Sequence, residues 1–322
     1  MESVLAPATS RPDPAMQLID LSFPEDPFRR MKACSVVTYG ETRLQRLPWS
    51  GLHRRNERGP SSILLDSPGD PSVPGGRWAV SSRGVPLVGT YERSVFRALE
   101  WIAIDASLVQ GHPLANPMIV HPRDICERLC WRATQPQFDA IEQSMQNLCR
   151  VEIEEGTGGT RFGLLRSAIA GTQRTVNRSL TCPQFVVYFD RSFIDSVNAG
   201  HVRPINWGLW IALREPVAQR MLEILDPEFR AGTVVPTLDA DLLSRLVPLP
   251  PTATRNRRRI LLEQAHASLK TRGYLKRIDR HSSGSSDLYT YHPGPTYVAM
   301  QYRLERQPGL PPQGRALREA RG

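Results

Sequence analysis

The sequence predicts a helix-rich α+β chain in which one unit occurs twice: helices, then a strand, a polar turn and a returning strand. Three observations carry that expectation. Residues 255–278, RNRRRILLEQAHASLKTRGYLKRI, join a basic start to an apolar stripe at helical spacing and end in a β-type run. Residues 134–165 show the same succession of long helix, strand, glycine-rich turn and strand. Asp124-Ile125-Cys126-Glu127-Arg128-Leu129 also aligns with Asp241-Leu242-Leu243-Ser244-Arg245-Leu246, each a short helix just before a long one. A repeat this long is not a solenoid, whose units run about 20–50 residues. A short helix, a long helix and a two-stranded wing make the layout of a winged-helix domain, a helix-turn-helix variant. The expected fold class is therefore α+β, two tandem winged-helix domains with a flexible N-terminal extension and C-terminal tail.

The elements follow in order. Residues 1–40 are rich in proline and acidic residues and lack helical period, so most of this extension is expected to be disordered. Met16 to Phe23 (MQLIDLSF) is its one apolar segment, expected to staple onto the domain. The first domain is placed at 41–183. Ser62 to Leu65 and Trp78 to Ser81 form a leading hairpin between Gly/Pro turns. Residues 90–110 are a helix with Val95, Leu99 and Ile102 in period, widened by Phe96 and Trp101 and stopped by Gly111 and Pro113. Met118 to Val120 is a strand, and His121-Pro122 opens a second helix with Ile125 and Leu129 inward. A third helix runs from Thr134 to Leu148 on Phe138, Ile141, Met145 and Leu148. Val151 to Glu154, the turn EGTGGT (155–160) and Arg161 to Leu165 make the first wing.

The second domain is placed at 184–292. QFVVYFD (184–190) is a strand by its β-branched and aromatic content, and 191–198 a short helix ending at Gly200. Asn206 to Leu213 is helical, with Trp207 and Trp210 packing under this domain. Pro216 starts a helix with Val217, Met221, Ile224 and Leu225 inward. Leu238 to Leu246 is a helix and VPLPP (247–251) a rigid turn. The arginine helix has Thr254 as N-cap and Leu261, Ala265 and Leu269 as its stripe, with Ile260 and Leu262 beside it; Gly273 stops it. Tyr274 to Ile278, the turn HSSGSS (281–286) and Leu288 to Tyr291 make the second wing. Residues 293–322 are expected to be a flexible Pro/Arg-rich tail.

Composition narrows the function. The 322 residues carry a formal charge of +9, and Arg255 to Arg280 holds nine Lys/Arg against Glu263 and Asp279, which is +7 of it. A basic stripe on one element points to a polyanion partner. No apolar run reaches the roughly 18 residues of a membrane span. The start, with Glu2 and no apolar core, does not read as a signal peptide. Five cysteines in no disulfide-like spacing suit a reducing compartment, and a cytoplasmic location is expected.

The candidate DNA-binding residues follow from chemistry. On the arginine helix they are Thr254, Arg255, Asn256, Arg257, Arg258, Arg259, His266 and Lys270; on the second wing Lys276, Arg277 and Arg280. Arginine bridges guanine O6 and N7, and Asn or Gln does the same for adenine. Arg258 and Arg259 are the expected base readers, with Arg257 turned toward phosphate. The first unit offers Gln135, Gln137 and Arg161, but Asp139 and Glu142 beside the glutamines repel phosphate. The second unit is therefore expected to supply most of the affinity, and the first to bind weakly or form a dimer face.

Catalytic constellations are not expected. The seven histidines are scattered, none two apart, so Tyr289 and Tyr291 have no metal pair to make them nicking nucleophiles. No GxxxxGK[ST] loop occurs. Cys126 and Cys130, with Cys149 downstream, read as small core hydrophobes rather than zinc ligands. No cofactor or metal is expected.

From about Arg43 to Ile278 the chain resembles the plasmid replication initiator proteins of bacteria, the replication initiator protein A family. The stretches that carry the resemblance are Tyr91 to Ile102 (YERSVFRALEWI), Asp124 to Leu129, Phe193 to Gly200 (FIDSVNAG), Pro204 to Leu213 (PINWGLWIAL), Pro216 to Leu225 (PVAQRMLEIL) and Gly273-Tyr274-Leu275. It implies a non-catalytic initiator that binds repeated double-stranded DNA sites at a plasmid origin. It also implies homodimerisation and recruitment of host initiator or helicase proteins, on the nucleoid or plasmid. The long N-terminal extension and the Pro/Arg-rich tail depart from the pattern. A winged-helix transcriptional repressor would share most of these residues, and a metal-dependent nicking initiator is the rival from another class.

Overall fold

The first strand finds its partner far along the chain. β1 (Val37–Glu41) pairs antiparallel with Val202–Asn206, Val37 opposite Asn206 and Glu41 opposite Val202. A computed structural model describes residues 37–53, 59–66, 77–110, 112–156, 160–171, 174–177, 180–182, 184–230, 235–250, 253–283 and 286–306. The expected extension up to residue 36, with Met16–Phe23, and the tail beyond Arg306 lie outside them. Residues 37–40, assigned to the extension, are a strand instead, because Thr38 and Tyr39 are buried against the domain. Glu41 then caps α1 (Thr42–Arg46), accepting from the Leu44 N–H at 2.8 Å.

The leading hairpin forms as expected from β2 (Ser62–Asp66) and β3 (Arg77–Ser82), with Leu65 opposite Trp78. Next come α2 (Thr90–Gln110), β4 (Met118–Val120), α3 (Pro122–Arg128) and α4 (Gln135–Leu148). α4 buries Phe138, Ile141, Met145 and Leu148, the stripe its period gives.

The strands after α4 pair otherwise than expected. β5 (Val151–Glu155) and β6 (Arg161–Gly163) extend the leading hairpin into a four-stranded sheet of order β2-β3-β5-β6. Thus EGTGGT, whose residues 157–159 lie outside the described set, joins two strands of that sheet. Four further strands follow, β7 (Leu165–Ala170), β8 (Arg174–Asn177), β9 (Leu180–Cys182) and β10 (Phe185–Phe189). β7 pairs with β10 and β8 with β9. β10 is the middle strand of the sheet β4-β10-β7, with Phe185, Val187 and Phe189 buried on its inner face. The 184–190 strand assigned to the second domain therefore belongs to the first unit's sheet.

The chain continues with α5 (Arg191–Asn198), β11 (Val202–Asn206) and α6 (Trp207–Ala212). Then follow α7 (Pro216–Arg230), β12 (Thr237–Asp239), α8 (Ala240–Leu246), α9 (Arg255–Thr271), β13 (Leu275–Ser283) and β14 (Ser286–Pro293). Their sheet has the order β12-β14-β13, the order of β4-β10-β7 again: first strand beside last, middle strand outside. Residues 293–306, expected to be loose, are mostly helix: α10 (Pro295–Arg306). Tyr297 and Met300 hold it down, Tyr297 lying 4.9 Å from the ring of Phe229. Gly273 has φ +67°, and a Cβ on Gly294 would overlap the Gly273 carbonyl, so both glycines are needed where α10 turns back.

The two halves share one core. Trp207 lies 5.0 Å from both Trp101 and Trp210, and its indole N–H donates to the Arg128 carbonyl at 2.9 Å. The tryptophans thus join the halves rather than packing under one. Beside them, α2 and α7 bury a charge network that the sequence reading missed. Arg97 donates to Glu100 at 2.6 Å and to Glu223 at 3.4 Å, and Glu223 also accepts from Arg220 at 2.9 Å and from the Trp210 indole N–H at 3.0 Å. Arg93, close by, donates to Gln219 at 3.2 Å. Burial pushes the Glu223 carboxyl up, but Arg97, Arg93 and Arg220 outweigh it and hold the pKa at about 2. Glu100 goes the other way, to about 6, because burial exceeds what Arg97 returns.

Candidate nucleic-acid interface

α9 is built as a helix that presents its start and hides its middle. Thr254 Oγ1 accepts from the Arg257 N–H at 3.2 Å, satisfying one of the free first-turn donors. No acidic residue lies in the first turn, and four of the first five helical residues are arginine. Cations at the positive end of a helix cost roughly 0.3–1 kcal/mol each, so this placement is not made for stability.

Carboxylates from neighbouring elements hold some of these arginines in place. Arg258 Nε donates to the Ala253 carbonyl at 2.9 Å, and its Nη1 lies 4.0 Å from Asp241 on α8. Arg259 Nη2 donates to Asn256 Oδ1 at 2.8 Å, while its Nε is 3.7 Å from Glu263. Arg255 is 3.7 Å from Asp287 on β14, and Arg280 on β13 donates to the same carboxylate at 3.0 Å. Arg280 is also 3.9 Å from Glu263, so hairpin and helix are tied side by side. On the hairpin, Arg277 is 3.0 Å from Asp279, which also receives His292 at 2.8 Å. Arg257, Lys270 and Lys276 are exposed and make no ion pair among the described residues.

Eleven expected residues of the second unit thus gather on α9 and β13, with one exception to their surface role. His266 is buried, 3.0 Å from the Tyr291 hydroxyl and 5.0 Å from the ring of Tyr289. The inward positions of α9 are Leu262, Ala265, His266 and Leu269, spaced i, i+3, i+4, i+7; Leu261, placed in the stripe by sequence, is only half-buried. His266 falls on the i+4 position, so it anchors the helix and does not face solvent. Burial, with Lys270 nearby, lowers its pKa to about 4. A depressed histidine contributes stability above its ordinary value of 6.5, and that contribution is lost as pH falls toward 4. Each unit below 6.5 should cost up to about 1.4 kcal/mol. Urea titrations at pH 7 and pH 5.5 should show the drop in the parent protein and a smaller one in His266→Phe; equal drops would remove His266 as the cause.

The first unit's candidates do not gather. Gln137 donates to the Tyr91 hydroxyl at 2.7 Å and is half-buried, so it is engaged within the fold and not free to read a base. Gln135 donates to Asp139 at 2.9 Å. Arg161 lies 3.1 Å from Glu154 on the four-stranded sheet and not on the sheet β4-β10-β7. Cys126 is buried, and Cys130 and Cys149 are half-buried.

Comparison with family models gives no match, and comparison with curated proteins gives none either. Among solved structures the chain is similar to domains 2 and 3 of RctB, with TM-score 0.49 and 11% identity over 78% of this chain and 98% of that one. A second structure of RctB domains 2–3 has TM-score 0.47 and 13% identity over 81% and 100%. The Pi initiator protein in complex with iteron DNA has TM-score 0.38 and 8% identity over 64% and 95%. Asp287 and Asp241, absent from the sequence-derived set, complete the site by orienting its arginines. The signal available for Asp287 was its place in SDLYTY, where alternation turns Asp287, Tyr289 and Tyr291 to one face.

Proposed function

We propose that this chain is a replication initiator that binds repeated double-stranded DNA sites through the second of two winged-helix units, laying α9 in the major groove. The observation that carries the reading is the arginine-rich first turn of α9, held beside the basic hairpin β13–β14. Four arginines at a helix's positive end disfavour the free protein and favour the complex with a polyanion. Helix, strand, helix, helix and a three-stranded sheet of the same order occur in both halves, the first with β5, β6, β8 and β9 inserted, which supports the winged-helix assignment. Homodimerisation, recruitment of host initiator or helicase proteins, a cytoplasmic location and the lack of a catalytic step belong to the same reading. In it the first unit contributes little affinity, since Gln135 and Gln137 are already engaged.

The decisive experiment is replication of an origin-only plasmid with this protein supplied in trans, with a footprint over the repeats it covers. A footprint without replication would make the protein a repressor, and a covalent protein–DNA adduct would make it a nicking enzyme. Binding itself should be steeply salt-dependent, with a slope on the order of −0.9 per phosphate neutralised. Replacing Arg257, Lys270 and Lys276 together by alanine should flatten the slope by roughly two to three units and weaken specific and scrambled duplexes alike. An unchanged slope takes these three cations out of the interface.

A further inference from the structure

α9 has an outward side that the packing of the fold does not use. Leu262, Ala265, His266 and Leu269 fix the inward side. At about 3.6 residues per turn, the opposite side falls on Arg257, Ile260, Gln264 and Ala267, spaced i, i+3, i+7, i+10. Burial agrees with that placement. Arg257, Gln264 and Ala267 are exposed, and Ile260, although half-buried, lies outside the apolar core against which its neighbour Leu261 packs. Arg258 and Arg259 fall on the flanks of the inward side and are half-buried, 4.0 Å from Asp241 and 3.7 Å from Glu263.

Gln264 stands at the centre of the outward side, one turn from Ile260 and one turn from Ala267. It makes no hydrogen bond among the described residues, whereas Gln135 and Gln137 are both engaged within the first half. Its amide therefore offers a donor and an acceptor side by side, the pair that matches N7 and N6 of adenine in the major groove. Asn256, the other amide at this end of the helix, is already committed. A guanidinium has only donors, so the bond at 2.8 Å from Arg259 Nη2 takes the Asn256 carbonyl. Ile260 and Ala267 add apolar surface of the kind that meets a thymine methyl. We propose that Gln264 reads one adenine of the DNA site, its Nε2 donating to N7 and its Oε1 accepting from the N6 amino group, with Ile260 and Ala267 against thymine methyls on either side. The inference rests on the DNA-binding reading and deepens it. Base choice comes from the outward side of α9, and Arg258 and Arg259 position the helix on the backbone instead of reading guanine.

The test selects sites from a pool of random duplexes with the full chain, then measures affinity on the enriched site. The parent should require an adenine at one position, and exchanging that A·T pair for G·C should weaken binding about tenfold or more. Replacing only that adenine by 7-deazaadenine, which lacks the N7 acceptor, should also weaken it. Gln264→Ala should bind the A·T and G·C versions within about twofold of each other. Its affinity for scrambled duplex, its salt slope and its melting temperature should equal the parent's, since Gln264 is uncharged, exposed and without an internal partner. A Gln264→Ala variant that keeps the parent's preference at every position, or loses it only at a guanine, overturns the assignment while leaving DNA binding intact. So does a parent that binds duplexes without enriching a site. A parent that binds no duplex at low salt overturns the DNA-binding reading, and the assignment with it.

Discussion

Replacing Glu223 by alanine should cost about 3–5 kcal/mol of stability, because a buried ion network would lose its central acceptor. Three donors converge on that carboxylate: Arg220 at 2.9 Å, the Trp210 indole at 3.0 Å and Arg97 at 3.4 Å. Without it, Arg93, Arg97 and Arg220 remain buried, and of the three Arg97 keeps a carboxylate, Glu100 at 2.6 Å. Urea unfolding measures the effect; a loss below about 1 kcal/mol would mean that charge does not join α2 to α7. The pH dependence has a definite sign. Glu223 is held below its ordinary value of 4.5, at about 2, so its stabilisation is complete above 4.5 and lost as pH falls toward 2. Glu100, raised to about 6, works oppositely: its contribution is present below 4.5 and lost as pH rises through 6. The alanine variant should therefore show a shallower acid limb below pH 4.5 than the parent.

A fragment ending at residue 183, the boundary suggested by the sequence, should not fold. It would lack β10, the middle strand of β4-β10-β7, leaving β4 and β7 without a common partner. It would also lack β11, the partner of β1, and the α7 side of the charge network. Circular dichroism should show little ordered structure and no cooperative melt, whereas the full chain should melt in one transition. A cooperative melt by the fragment would show that the first half is a domain in its own right.

These two results mark where sequence reading ends. The helices were legible because their inward positions repeat locally, as in Val95, Leu99 and the α4 stripe of Phe138, Ile141, Met145 and Leu148. Strand partners were not, since nothing local in Val37–Glu41 names Val202–Asn206, and β5 had two chemically acceptable neighbours. The arginines of α9 were found by charge, which needs no partner. Arg97 and Glu100 look like any solvated helix face until α7 covers them. His266 was misplaced for a different reason: its residue type suggested a surface, while its position relative to Leu262, Ala265 and Leu269 specified the core.

The pairing of Val37 with Asn206 also sets the order in which the protein can be made. Ribosomes add about 5–20 residues per second, so β1 leaves the exit tunnel roughly 10–30 seconds before its partner has been synthesised. During that interval Trp49 can already meet Phe96, its ring partner at 5.1 Å, but the edge of β1 that takes Val202–Asn206 stays unpaired. The first stretch of the fold to emerge is therefore among the last to be completed.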